Sequence, residues 1–202
     1  MNLYVLRHAS AGTRRANPLI DVKRPLDKEG KQQCVLVANC LNALRTQFDV
    51  VASSPLKRAL QTASLVGNEI GHEGKILVTD ALAPGATLPQ FQKLVTELSR
   101  HENVLVVGHS PNLQQFLSSL IGPESTARPN LRMRKSALAR VDLTQRPGLL
   151  VWLLDPRLVR LIYAGMPKSS RKRTASSKKV AGKKTSTSRK KASGARRKTS
   201  RK

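Results

Sequence analysis

The 202-residue chain reads as an α/β domain around a mostly parallel central sheet, followed by a disordered basic tail. Three observations carry this reading. Strand-sized apolar runs alternate with helical patterns to about residue 120, the order that builds parallel sheets. Two further apolar runs then lie close enough together for a closing hairpin. Charge is divided unevenly: of 37 Lys+Arg and 12 Asp+Glu, residues 167–202 hold 16 of the bases and none of the acids.

Leu3–Leu6 is the first strand, and 9–26, with Gly12, Pro18 and Pro25, a polar loop. A helix is expected from about Asp27 to Thr46, because Val35, Leu36, Ala38, Leu41 and Leu44 recur at helical spacing. Asp49–Ala52 is the second strand. Ser54-Pro55 then opens a helix to about Ile70, since Ser is a favoured N-cap and Pro suits the first helical position. Lys75–Val78 is a strand and Leu82–Thr87 a loop. A helix over Leu88–Arg100 precedes the wholly apolar strand Val104–Val107. Ser110-Pro111 repeats the helix start, and that helix runs to about Leu120. After a loop at 122–134, Ser136–Leu143 and Leu149–Leu154 pair across Thr144–Gly148. These elements make one domain over 1–166. In 167–202 Val180 is the only large aliphatic side chain, too little apolar surface to offset the entropy of ordering.

Composition excludes several classes. No apolar run approaches the ~20 residues that span a bilayer. The start Met-Asn-Leu-Tyr-Val-Leu-Arg-His meets Arg7 too early for a secretory signal. Cys34 and Cys40 lie six apart in one expected helix, on different faces, so two reduced cysteines are expected. A cytoplasmic monomer, away from membranes, is the expected form.

Unusual groups gather where strands end. Arg7-His8 follows the first strand, Arg58 sits in the first turn of the helix after the second, and His109 follows Val104–Val107. Ligands of open α/β sheets collect outside the carboxyl ends of strands, and helix N-termini there favour anions. Two His and two Arg, with no acid near them in sequence, fit a tetrahedral oxyanion. A neutral imidazole is a competent nucleophile, and neighbouring cations would keep His8 neutral. No His, Cys, Asp or Glu spacing suggests a metal site, and no cofactor is expected.

Leu6-Arg7-His8-Ala9 resembles the Arg-His-Gly signature of the histidine phosphatase, or phosphoglycerate mutase-like, superfamily. Ser53-Ser54-Pro55-Leu56-Lys57-Arg58-Ala59-Leu60-Gln61-Thr62-Ala63 is similar to its second motif, and Val106-Val107-Gly108-His109-Ser110-Pro111 to its third. Order and spacing agree over about Met1–Ile162. Small size and the Arg24-Pro25-Leu26 segment resemble the SixA-type phosphohistidine phosphatases. The resemblance implies a three-layer sandwich and a metal-independent phosphatase acting on a histidine-phosphorylated protein. It implies that His8 becomes a phosphohistidine intermediate while Arg7, Arg58 and His109 bind the phosphoryl oxygens. Arg24, by its match to the Arg-Pro-Leu segment, would reach the substrate side of the pocket.

Two departures from the pattern matter. Ala9 stands where most of the superfamily has Gly, a change of one small residue for another. Many phosphomonoesterases of the family carry an acid between the second and third motifs to protonate an alkoxide. In Thr79–Thr87 only Asp80 is acidic. An imidazole leaving group needs less help, so a missing acid favours phosphohistidine. The alternatives are a small-molecule phosphomonoesterase using Asp80 as the acid, and a non-catalytic polyanion-binding protein with a phosphate-binding core.

The other polar residues carry plainer expectations. His72 and His101 fall near helix C-termini, where a cation is favourable without further role. Arg14, Arg15, Arg128, Arg132, Arg134 and Lys135 read as solvated loop charge, the alternative being a pocket rim or a contact to an acidic phosphoprotein. Trp152 and Tyr163 read as core residues. Ser10 and Ser110 lack an Asp to complete a triad. The tail 167–202 is expected to bind nucleic acid or polyphosphate through counterion release, without base stacking because it has no aromatic residue.

Overall fold

The apolar runs assemble into one six-stranded sheet in the computed structural model, which describes residues 1–122 and 129–165. The strands are β1 (Asn2–Arg7), β2 (Val50–Ser53), β3 (Leu77–Val78), β4 (Asn103–Gly108), β5 (Leu138–Asp142) and β6 (Leu149–Leu154). Their order is β3-β2-β4-β1-β5-β6. β1, β2, β3 and β4 run parallel, β5 joins β1 antiparallel, and β6 pairs antiparallel with β5 at the edge.

Alternation along the strands divides the core in two. Leu3, Val5, Val104 and Val106 face α4 (Leu88–Glu97) and α5 (Asn112–Ile121). Tyr4, Leu6, Leu105 and Val107 face α2 (Lys28–Ala43) and α3 (Lys57–Ile70). The result is the three-layer, mostly parallel α/β sandwich that the resemblance implies. Val104–Val107 is fully buried, as expected of a central parallel strand.

Two short helices depart from the expectation. Inside the loop 9–26 lies α1 (Pro18–Val22), begun by Asn17, whose side chain accepts from Leu19 N, with Pro18 at the first position. Five residues show no periodicity, and Leu19, Ile20 and Val22 are exposed, so only the Asn17-Pro18 start marks it. After β6 comes α6 (Pro156–Gly165), capped by Asp155 accepting from Arg157 N at 2.8 Å and packed on α2. The Asp155-Pro156 pair was the signal there.

Both Ser-Pro starts also need correction. α3 begins at Lys57 and α5 at Asn112, each without a side-chain cap. Trp152 packs on Tyr4 edge-to-face at 5.9 Å, while Tyr163 is only half-buried. Cys34 and Cys40 are free thiols, and burial pushes Cys34 up to about 12. Met1–Gly165 forms one compact unit. The expected disordered tail, 167–202, lies outside the described residues, as does Arg128.

Candidate active site

β2, β4 and β1 are neighbours that end within one residue of each other: Arg7 pairs with Gly108 at the ends of β1 and β4, and Ser53 ends β2 one rung earlier, opposite Val107. The next residue of each strand therefore emerges at the same sheet edge: Ser54, His109 and His8. His8 N donates to Gly108 O and Ser54 N to Val107 O, both at 3.0 Å. The His8 and His109 rings lie 4.9 Å apart, centroid to centroid. Both are buried. Burial pushes His8 down to about 3 and His109 to about 2, and the Arg58 and Arg7 charges act in the same direction. Both rings are therefore neutral at physiological pH.

His8 has a defined tautomer. Its Nδ1 lies 2.8 Å from the Ala9 carbonyl oxygen, which can only accept, so Nδ1 carries the hydrogen and Nε2 the lone pair. Ala9 N in turn donates to Thr62 Oγ1 at 3.1 Å, and Thr62 donates to Arg58 O at 2.7 Å. The first motif is thus tied to the second. His109 Nε2 lies 2.9 Å from Ser54 Oγ, which also accepts from Leu56 N at 3.3 Å. Ser54 serves the site where a helix cap was expected.

The guanidiniums converge on the same cleft, about 490 Å³ in volume. Arg58, on the first turn of α3, is 6% exposed and donates through Nη1 to Asp21 O at 3.0 Å and Asp21 Oδ2 at 3.2 Å. Arg24 donates to Asp21 Oδ1 at 2.8 Å and to the Ala11 and Gly12 carbonyls. Arg7 Nη1 donates to Met133 O at 2.7 Å. Among the described residues Arg7 Nε, Arg58 Nε, His109 Nδ1 and Ser110 Oγ are buried without a hydrogen-bond partner. Unpaired buried groups are costly, and four of them around one cleft mark a site built for an acceptor-rich ligand. A tetrahedral oxyanion has that character.

Arg7, His8, Arg24, Arg58 and His109 all line this cleft. Asp80 does not: it is exposed, at the start of a 3-10 turn, Asp80–Leu82. No acid stands near Arg7, His8, Arg58 or His109 in sequence, but α1 folds Asp21 against Arg58 and Arg24. The Arg15 N–H, followed by Arg24 and Arg58, holds the Asp21 carboxyl below the usual carboxylate range, against the effect of burial. Arg14, Arg15 and Lys135 also line the cleft, where solvated loop charge was expected. His72 and His101 lie elsewhere, bonded to Phe48 O and Arg100 Nε. Ser10 donates to Asp27 Oδ2 at 2.8 Å. No group of three or more His, Cys, Asp or Glu that could hold a metal occurs among the described residues.

Known proteins share this fold. The sequence profile of the histidine phosphatase superfamily, branch 1, matches residues 3–83. An uncharacterized protein of Picosynechococcus is 32% identical over 135 residues, 65% of this chain and 80% of that one. Phosphohistidine phosphatase SixA of Escherichia coli is 26% identical over 167 residues, 81% of this chain and 99% of that one. The structure of protein histidine phosphatase SixA complexed with tungstate superposes with a TM-score of 0.69 at 26% identity, covering 79% and 99% of the two chains. Three separate stretches of sequence meet at one sheet edge in a fold shared with those proteins, and the chain accordingly belongs to the histidine phosphatase superfamily and is a phosphatase of that kind.

Proposed function

We propose that this protein removes the phosphoryl group from a phosphorylated histidine of a partner protein, with His8 as nucleophile. The observation that carries the reading is the fixed neutral tautomer of His8: Nδ1–H on the Ala9 carbonyl and a lone pair on Nε2, among Arg7, Arg58 and His109. Nε2 forms an N–P bond as the P–N bond to the substrate imidazole breaks. A substrate imidazole protonated on its other nitrogen leaves neutral and needs no acid. Water then adds to phosphorus, the bond to His8 breaks, and the water proton leaves with phosphate or to solvent. Arg7 and Arg58 stabilise the charge spread over the phosphoryl oxygens. Ser54 can donate its O–H to His109 Nε2, leaving an Nδ1–H for one of those oxygens.

The cleft's acid chemistry supports this substrate over an alkyl ester. Its carboxylate, Asp21, is ion-paired twice and held deprotonated, a poor proton donor for an alkoxide. Asp80 stands outside the lining. A SixA structure holds tungstate, itself a tetrahedral oxyanion. We further propose that the tail 167–202, with 16 Lys/Arg and no acid, associates with nucleic acid or polyphosphate independently of catalysis.

The deciding experiment compares wild type and His8→Ala on a histidine-phosphorylated protein and on an aryl phosphate ester. Wild type should clear the phosphohistidine, form an acid-labile phosphoenzyme, and exceed His8→Ala by at least about a thousandfold. Ester turnover equal to or faster than phosphohistidine turnover would assign the cleft to small phosphate esters. Absence of any phosphoenzyme with either donor would refute the nucleophile.

A further inference from the structure

A second depression, about 530 Å³, adjoins the catalytic cleft. Six cations line it: Arg7, Arg132, Arg134, Lys135, Arg157 and Arg160. They come from β1, the segment before β5, and the first half of α6, so the fold draws them to one concavity. Two carboxylates answer them. Asp155 pairs with Arg134 at 3.1 Å and Arg157 at 3.4 Å, and Glu29 with Arg160 at 2.7 Å. Arg132 and Lys135 have no ion-pair partner among the described residues. The depression keeps a positive excess, and Arg7 and Lys135 line both it and the cleft.

We infer that this groove receives an acidic polypeptide segment flanking the phosphorylated histidine. The inference rests on the phosphohistidine-protein reading above and names what the partner presents beside its phosphoryl group. Guanidinium forks match carboxylates in two parallel hydrogen bonds, and complementary charge guides both encounter and register. Nucleic acid fits less well. No aromatic side chain lines the groove to stack a base. Glu29 lines the groove and Asp155 is paired with two of its arginines, so an unbroken phosphate backbone would meet like charge at both. A polypeptide can set carboxylates at the arginines and neutral residues opposite the two acids.

The test uses the full chain and two phosphohistidine peptides of equal length, one flanked by Asp and Glu, the other by Ser and Gln. Wild type should favour the acidic peptide by about five- to tenfold in kcat/KM, mainly through KM, with the preference shrinking as salt rises. Arg132→Gln combined with Arg157→Gln should turn over the neutral peptide as wild type does and lose the preference. The basic tail is common to both proteins and cancels. Equal use of both peptides by wild type, or a preference undiminished in the double variant, overturns the groove while leaving the phosphohistidine reading intact. Failure to turn over either peptide overturns that reading and this one together. Stronger competition from inorganic polyphosphate than from an unphosphorylated acidic peptide of equal charge, lost in the variant, overturns the peptide assignment in favour of a phosphate polymer. Should the double variant lose turnover of both peptides, Arg132→Gln alone, which breaks no ion pair, is read by the same ratio.

Discussion

His8 and His109 are buried as neutral rings, which makes the protein's stability depend on pH. Their folded-state values, about 3 and about 2, lie below the ordinary 6.5, so the unfolded chain binds protons first as pH falls. The stabilisation is complete above about pH 6.5 and is lost as pH falls through 6.5 towards 3. Urea unfolding between pH 6.5 and 5 should show a loss of up to about 1.4 kcal/mol per pH unit for each imidazole. Asp21 and Asp155 are held low and add their own dependence only at more acid pH. His8→Gln should reduce the slope, and an unchanged slope would refute burial as the neutralising cause. At this scale the sequence was most informative where a residue follows a strand. His8, His109, Arg7 and Arg58 all converge on the cleft, because strand ends are where such a sheet exposes groups. Asp21 was not legible, since its approach to Arg58 depends on a five-residue helix whose apolar side chains face outwards.

Among the elements, the entry to α2 bears most directly on the site. The loop after His8 is tied to that helix by Ser10 N donating to Gln33 Oε1 at 2.9 Å and Gly12 N to Asp27 Oδ2 at 2.7 Å. Gly30 permits the approach: a Cβ there would stand 1.9 Å from the Ser10 carbonyl oxygen. Gly30→Ala should cost about 2–3 kcal/mol of stability. It should also lower kcat by about a hundredfold, because the displaced loop carries the Ala9 carbonyl that orients His8. Chemical denaturation and steady-state turnover check the two effects, and near wild-type values in both would refute the packing argument. The long elements were legible from periodicity. Ser54-Pro55 misled because a good capping side chain can be diverted: Ser54 meets His109, and the helix begins without it.

For the whole molecule, charge is the property that composition makes plainest. Deleting 167–202 removes 16 of the 37 Lys/Arg and should abolish salt-sensitive retention on DNA or polyphosphate while leaving turnover of a small substrate unchanged. Equal retention by both proteins would remove the tail from consideration. The mixed, three-layer sheet was legible as a class because alternating apolar runs dictate two covered faces. What no composition or period could supply is the convergence in space of Arg132, Arg134, Lys135, Arg157 and Arg160. Arg132, Arg134 and Lys135 read along the chain as solvated loop charge, with a pocket rim or a contact to an acidic phosphoprotein as the alternative, and the fold sets them beside Arg157 and Arg160 in one groove.

The ending of β1, β2 and β4 within one residue of each other has a consequence for how such a protein can change over time. Position there is measured by residue count. One residue added to or lost from β4 would carry His109 a full step along the strand and turn it to the other face. Exchanges of one aliphatic residue for another within Val104–Val107 leave that count intact. The lineage is therefore free to vary the aliphatic side chains of its core while holding the length of these three strands.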